Sequence, residues 1–239
     1  MRDSVRIGPA LRQAPALAGS LADQVYQRIK DELFDFRLLP GDRFTEAELA
    51  LRLGVSRTPV RLGLARLERE GFVLPSPRSG WQVRPFDFER FEALYDVRVV
   101  LELAAVERLC AREHMDDSGL LGALTDVWLV PPAQRILDGR MVAELDEAFH
   151  CSLVAAAGNA EMALIHREVT EKIRIVRRLD FTKEFRVDAT YEEHGAILRA
   201  VLARRGEAAG RMLRGHIEMS KAEVRKITLH MLHVAREGS

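Results

Sequence analysis

The chain is poor in cysteine: in 239 residues only Cys110 and Cys151 occur, too few for a disulfide framework and in keeping with a reducing cytoplasm. It also lacks long apolar runs. Stretches such as Leu153 to Ala157 fall far short of the roughly 20 residues that a membrane-spanning helix needs. Residues 1–20 have no continuous apolar core and are expected to form a disordered arm rather than a signal peptide. There is no net charge either, which excludes a chain that is basic or acidic throughout. What is present is ordinary soluble composition, 47% hydrophobic and 30% charged, and this argues against general disorder.

The zero net charge hides an uneven distribution. From Arg52 to Arg84 there are seven arginines against Glu68 and Glu70, a net of +5, whereas from Phe86 onward 22 basic side chains face 26 acidic ones, a net of −4. A basic segment beside an acidic remainder points to a polyanion partner for that segment alone, the alternative being an arginine-rich solvated helix.

Apolar residues Leu21, Val25, Ile29 and Leu33 recur every fourth position and predict a helix within 21–37. Pro40-Gly41-Asp42 marks a turn, and Thr45 with Glu48 reads as a capping box opening a helix over 46–53. Gly54 closes that helix. Ser56 is a second N-cap with Pro59 in the first turn, and this third helix turns Val60, Leu64 and Leu67 inward before stopping at Gly71. Strands are predicted at 72–74 and 81–83 around the turn-rich tip 75–80. Three helices and a hairpin make a winged helix-turn-helix, a DNA-binding domain over residues 21–85. After Pro85 the pattern is helical almost throughout, with helices expected near 88–113, 117–129, 138–157, 160–180, 184–204 and 206–235. The fold class is therefore mainly α, an N-terminal winged helix-turn-helix followed by an all-α helical bundle over 86–239.

The second helix of a helix-turn-helix enters the major groove with its first residues nearest the bases. Those residues are Ser56, Arg57, Thr58 and Arg61. Arginine matches guanine O6 and N7, while the hydroxyls suit phosphate oxygens. At the wing, Arg78 and Ser79 add polar and cationic character, and Gly80 permits close backbone approach. The competing reading is a winged helix used for protein contacts.

In the bundle, Asp146 and His150 are i and i+4 on one helix face. His194 shares a face with Ile197, Leu198 and Val201, and His216 with Met212, Ser220 and Val224, so both should point inward. Four such groups from three helices are how bundles build metal sites, although each histidine alone is more often a core or surface residue. Imidazole with carboxylate suits zinc, nickel, manganese or iron without choosing among them. His166, His230 and His233 flank apolar stripes and are read as non-ligands. Cys151 stands about 100° round the helix from His150, off the ligand face. Arg98 lies on an apolar face with Leu94, Leu101 and Ala105, where it either holds an effector carboxylate or pairs with Glu102 at i+4.

Pro40-Gly41-Asp42-Arg43, Glu46-Ala47-Glu48-Leu49-Ala50, Gly54-Val55-Ser56-Arg57-Thr58-Pro59-Val60-Arg61 and Leu67-Glu68-Arg69-Glu70-Gly71 resemble the GntR family of bacterial transcriptional regulators over about residues 21–85. That resemblance implies a homodimer reading a short pseudo-palindromic operator in double-stranded DNA through Arg57, Thr58, Arg61 and Gly80. Two positions depart from the family pattern: Ala47 stands where arginine is frequent, and Leu62 where glutamate is usual. The order Asp146-x-x-x-His150, His194, His216, with the Gly158-Asn159 break and Glu193-His194-x-x-Ile197-Leu198, resembles the FadR C-terminal domain over 88–235. In metal-binding members of that branch these four positions hold a divalent metal ion.

The resulting expectation is a cytoplasmic transcriptional regulator, a repressor by preference, controlled by a small organic acid at the metal site, with Arg98 as an effector-binding residue. The helix that follows the wing is the expected route from pocket to DNA domain. The alternatives are a metal-dependent hydrolase, for which no second carboxylate stands at motif spacing to act as general base, and a direct metal sensor without an organic effector.

Overall fold

The computed structural model describes residues 19–76, 80–112, 119–182, 184–227, 231, 232, 234 and 236. Two compact units result: Glu89–Lys226 form one, and the described residues before and after that stretch form the other.

The first unit begins with α1 (Leu21–Phe34), opened by a capping box in which the Ser20 hydroxyl accepts from the Asp23 amide while the Asp23 carboxylate accepts from the Ser20 amide. Strand β1 (Arg43–Phe44), absent from the sequence expectation, leads into α2 (Glu46–Leu53). There the expected Thr45/Glu48 box forms, with Thr45 Oγ1 3.1 Å from the Glu48 amide nitrogen. Helix α3 (Arg57–Glu70) follows, and Gly54 and Gly71 end α2 and α3 in the left-handed conformation. Strands β2 (Val73–Pro75) and β3 (Trp81–Val83) pair antiparallel, and β1 joins the far edge of β3 to give the order β1-β3-β2. Val25, Ile29, Leu49, Val60, Leu64, Leu67 and Val73 close into one core, the apolar stripes of all three helices meeting the sheet. Residues Pro77, Arg78 and Ser79 of the expected wing tip lie outside the described residues, as does the expected arm apart from Gly19 and Ser20.

The second unit holds α4 (Phe88–Ala111) from Glu89 on, α5 (Leu120–Trp128), α6 (Gly139–Ala156), α7 (Ala160–Asp180), α8 (Glu184–Leu202) and α9 (Gly206–Val224). Between α5 and α6, Pro131 and Pro132 stop helix propagation, and Pro132–Gln134 form a single 3-10 turn. Asp138 and Asn159 cap α6 and α7 through side-chain oxygens. Phe149, Leu153, Ile173, Leu198, Leu213 and Ile217 are fully buried and line the middle of the bundle. The last helix ends earlier than expected: α9 stops at Val224, and Arg225 and Lys226 form a turn before the β-branched Ile227. Among the described residues no helix is long and apolar enough to cross a membrane.

Candidate metal centre and nucleic-acid interface

In the smaller unit the four expected DNA-facing positions at the start of α3 are exposed. Ser56 occupies the N-cap position, but its hydroxyl makes no capping hydrogen bond, in contrast to Thr45 and Ser20. Arg57 and Thr58 open the helix, and Pro59 packs inward. Arg61 turns back onto α2, its Nε 3.2 Å and Nη2 3.0 Å from the Glu46 carboxylate. That hydrogen bond, with the charge of Arg61 behind it, holds the Glu46 carboxyl below its ordinary range. Leu62 is 57% exposed on the same helix, and Ala47 is half-buried. Gly80 has φ +99°, and a Cβ there would stand 2.7 Å from the Phe44 carbonyl oxygen. The glycine is thus needed for the wing to close on β1, a local reason that sequence reasoning did not identify.

In the helical unit, α6, α8 and α9 bring Asp146, His150, His194 and His216 together, all buried. One ligand atom from each lies within 4.8 Å of every other. The Nε2 atoms of His150 and His216 are 3.2 Å apart and those of His194 and His216 3.4 Å. Asp146 Oδ1 sits 3.3 Å from His194 Nε2 and 3.8 Å from His150 Nε2. The i, i+4 spacing on α6 and the inward apolar stripes of α8 and α9 produce this convergence.

Each ligand-type side chain is held from behind. His150 Nδ1 is 2.6 Å from Glu102 Oε2, and His216 Nδ1 is 2.6 Å from Glu193 Oε2. Asp146 Oδ2 accepts from Arg177 Nε at 3.1 Å, and Arg177 Nη1 donates to Ser220 Oγ at 2.6 Å. His194 is gripped by aromatic rings, stacked on Phe149 at 3.9 Å with Trp128 edge-on at 4.3 Å. Burial would raise the carboxyl pKa values of Asp146 and Glu102, yet the charges of Arg177 beside Asp146 and Arg98 beside Glu102 hold both well below the ordinary range. Burial likewise pushes all three imidazoles down, His194 to about 3, so they are neutral at pH 7.

These residues fit a divalent cation on their own chemistry. The Glu102 and Glu193 carboxyls are held below the ordinary range and can accept from Nδ1 of His150 and His216, which leaves each Nε2 without its proton. Two bare Nε2 lone pairs then face each other across 3.2 Å. Asp146 Oδ1 is buried beside them without a hydrogen-bond partner. Nitrogens bound about 2.1 Å from a common ion stand about 3.0–3.4 Å apart at octahedral or tetrahedral angles, which is the spacing of His216 from His150 and from His194.

Arg98 is fully buried, and its Nε lies 2.5 Å from Glu102 Oε1, so of its two readings the structure forms the ion pair. His166 is buried too and stands outside the cluster, its Nε2 2.9 Å from the same Glu102 oxygen. Cys151 is also outside it, and burial pushes its thiol up to about 12. His230 and His233 lie outside the described residues. Sequence reasoning missed Glu102, Arg177 and Glu193 as supports. The signal for Glu102 was present, a glutamate on the apolar face one turn beyond Arg98.

Comparison with known proteins is consistent with both halves. Residues 21–83 match the bacterial regulatory proteins of the gntR family, and residues 93–219 match the FCD domain. The Nta operon transcriptional regulator of Aminobacter aminovorans is 30% identical, over 77% of this chain and 84% of that protein. The HTH-type transcriptional regulator YdhC of Bacillus subtilis is 27% identical, over 90% of this chain and 92% of that protein. A crystal structure of a transcriptional regulator GntR from Rhodococcus sp. RHA1 superposes with a TM-score of 0.72 at 24% identity, covering 88% of this chain and 100% of the other. E. coli McbR/YncC shares the fold at a TM-score of 0.67 and 19% identity, over 87% and 98% of the two chains.

Proposed function

The chain belongs to the gntR family of bacterial regulatory proteins, as an HTH-type transcriptional regulator with an FCD domain, and from that premise we propose that a small organic acid at a divalent metal site sets its operator affinity. The relatives are transcriptional regulators, not enzymes, and none of them supports a hydrolase. Asp146, His150, His194 and His216 hold the cation in this reading. The observation that carries it is the convergence of three imidazole Nε2 atoms and one unpartnered buried carboxylate oxygen.

Charge balance supports an acidic effector. Asp146 faces Arg177, Glu102 faces Arg98, and Glu193 shares Arg186 with Asp180, while the imidazoles are neutral. These groups offset at most one of the two charges that a dication brings, and a buried uncompensated charge is costly. The cation's open positions accept oxygen donors, so an organic acid supplies both the ligand atoms and the missing negative charge.

At the DNA, Arg57 and Arg61 contact base edges, Ser56 and Thr58 approach phosphate, and Gly80 brings the wing backbone close. The uncapped Ser56 hydroxyl and the exposed arginines support this assignment. A homodimer with a two-fold operator is part of the proposal, because one winged helix reads only a half-site. Helix α4 starts shortly after β3 and carries Arg98 and Glu102, so it covalently links the wing to the supports of the metal site. An effector that prefers one arrangement of these helices changes DNA affinity by that preference and no more, commonly about 1–3 kcal/mol. The test is operator titration with candidate acids, with and without Zn(II), alongside thermal shifts. A response to acid only when metal is bound supports the proposal. A response to metal alone, whatever the acid, replaces it with a direct metal sensor.

A further inference from the structure

Two carboxylates outside the ligand set stand in equivalent places behind two of the three imidazoles. Glu102 Oε2, on α4, lies 2.6 Å from His150 Nδ1, and Glu193 Oε2, on α8, lies 2.6 Å from His216 Nδ1. Neither group is merely solvating a surface. Glu102 is fully buried, and its other oxygen is occupied by Arg98 Nε at 2.5 Å and His166 Nε2 at 2.9 Å. Thr170 Oγ1 lies 3.4 Å behind, at His166 Nδ1. Glu193 is fixed by Arg186 Nη2 at 2.9 Å, and Arg186 is in turn 3.3 Å from Asp180. His194 lacks any such support: its Nδ1 is buried with no hydrogen-bond partner.

The geometry points to Glu102 and Glu193 as positioning residues that lock His150 and His216 in the Nδ1–H tautomer and so present both Nε2 lone pairs to the cation. An imidazole has one proton to place, and a carboxylate on one nitrogen decides which nitrogen keeps it. Without that choice, either ring spends part of its time with the proton on Nε2, where it cannot ligate. The carboxylate also makes the ring a stronger donor. Buried Arg98 and His166 thus act on the site at one remove, by holding Glu102, which gives a fully buried arginine and a non-ligand histidine a shared purpose. The inference rests on the metal reading proposed above, but its first half, the tautomer, holds in the metal-free protein.

Glu193 is the residue to vary first, because it is partly exposed and Arg186 keeps Asp180 as a partner when it is removed. In the metal-free full chain at neutral pH, long-range 1H–15N spectra of the imidazoles should show His216 as the Nδ1–H tautomer. Glu193→Ala should turn it into a mixture, and Glu193→Gln, whose amide oxygen still accepts, should restore it. Zn(II) affinity, measured against a competing chelator, should fall roughly 10–100-fold in Glu193→Ala and less in Glu193→Gln. Glu192→Ala, which removes an exposed partner of Arg135 on the same helix, is the control and should change neither. At His150, Glu102→Ala should mix the tautomers as Glu193→Ala does at His216, and Glu102→Gln should restore the Nδ1–H form. An unchanged His216 tautomer and unchanged Zn(II) affinity in Glu193→Ala would overturn the inference. A parent protein that takes up no Zn(II) while its tautomers respond as described would instead sink the metal reading and leave the tautomer assignment standing.

Discussion

Arg61 has two possible partners, the Glu46 carboxylate it already holds and a guanine edge in the major groove. The Glu46 pair is solvent-exposed, and such pairs contribute little, so exchanging it for a bidentate base contact is cheap. Arg57→Ala and Arg61→Ala should each weaken specific operator binding roughly 10–100-fold while leaving the fold intact, as read by gel-shift titration beside thermal melts. Unchanged affinity in both variants removes the reading role from α3. The buried histidines make a second prediction at this scale. Folded His194 titrates at about 3 against an ordinary 6.5, and His150 and His216 shift the same way, so the unfolded chain takes up protons first as pH falls. In metal-free protein this contribution is fully present above pH 6.5 and is lost progressively as pH falls toward 3. The melting temperature should therefore drop as pH falls from about 6.5 toward 3, and a flat profile would contradict the burial of neutral imidazoles.

At the scale of elements, Gly80 separates two explanations of one glycine. Its φ is positive, and a Cβ added there would approach the Phe44 carbonyl oxygen to 2.7 Å, so Gly80→Ala strains the β1–β3 pairing at a cost of about 1–3 kcal/mol. If the structural demand dominates, the variant loses thermal stability and operator affinity together; loss of affinity at unchanged stability would assign the glycine to DNA contact alone. The local signals in the sequence were strong where one element carried them. The Thr45/Glu48 box, the Gly54 and Gly71 stops, and the i, i+4 pair Asp146/His150 were all legible, because caps and helix faces are set by neighbours within a turn. Strand β1 was not, since two residues have no periodicity and pair only because β3 is there. The supports of the metal site were hidden for the same reason. Arg177 meets Asp146, and Glu102 meets His150 and His166, across gaps of 31, 48 and 64 residues that no pattern in a single helix reveals.

At the level of the whole molecule, control of a two-fold operator requires two-fold symmetry and a helical unit that responds to its ligand. Light scattering should find a dimer, and a strictly monomeric species with and without DNA would count decisively against a two-fold operator. The central claim, that Asp146, His150, His194 and His216 hold a cation, is tested most directly by elemental analysis of the purified full chain and of its His194→Ala/His216→Ala variant. About one equivalent of a divalent cation per chain is expected in the parent and essentially none in the variant, whose α3 remains able to bind DNA. Equal metal content in the two proteins, or a parent that stays metal-free when Zn(II), Ni(II), Mn(II) and Fe(II) are each supplied, would contradict it.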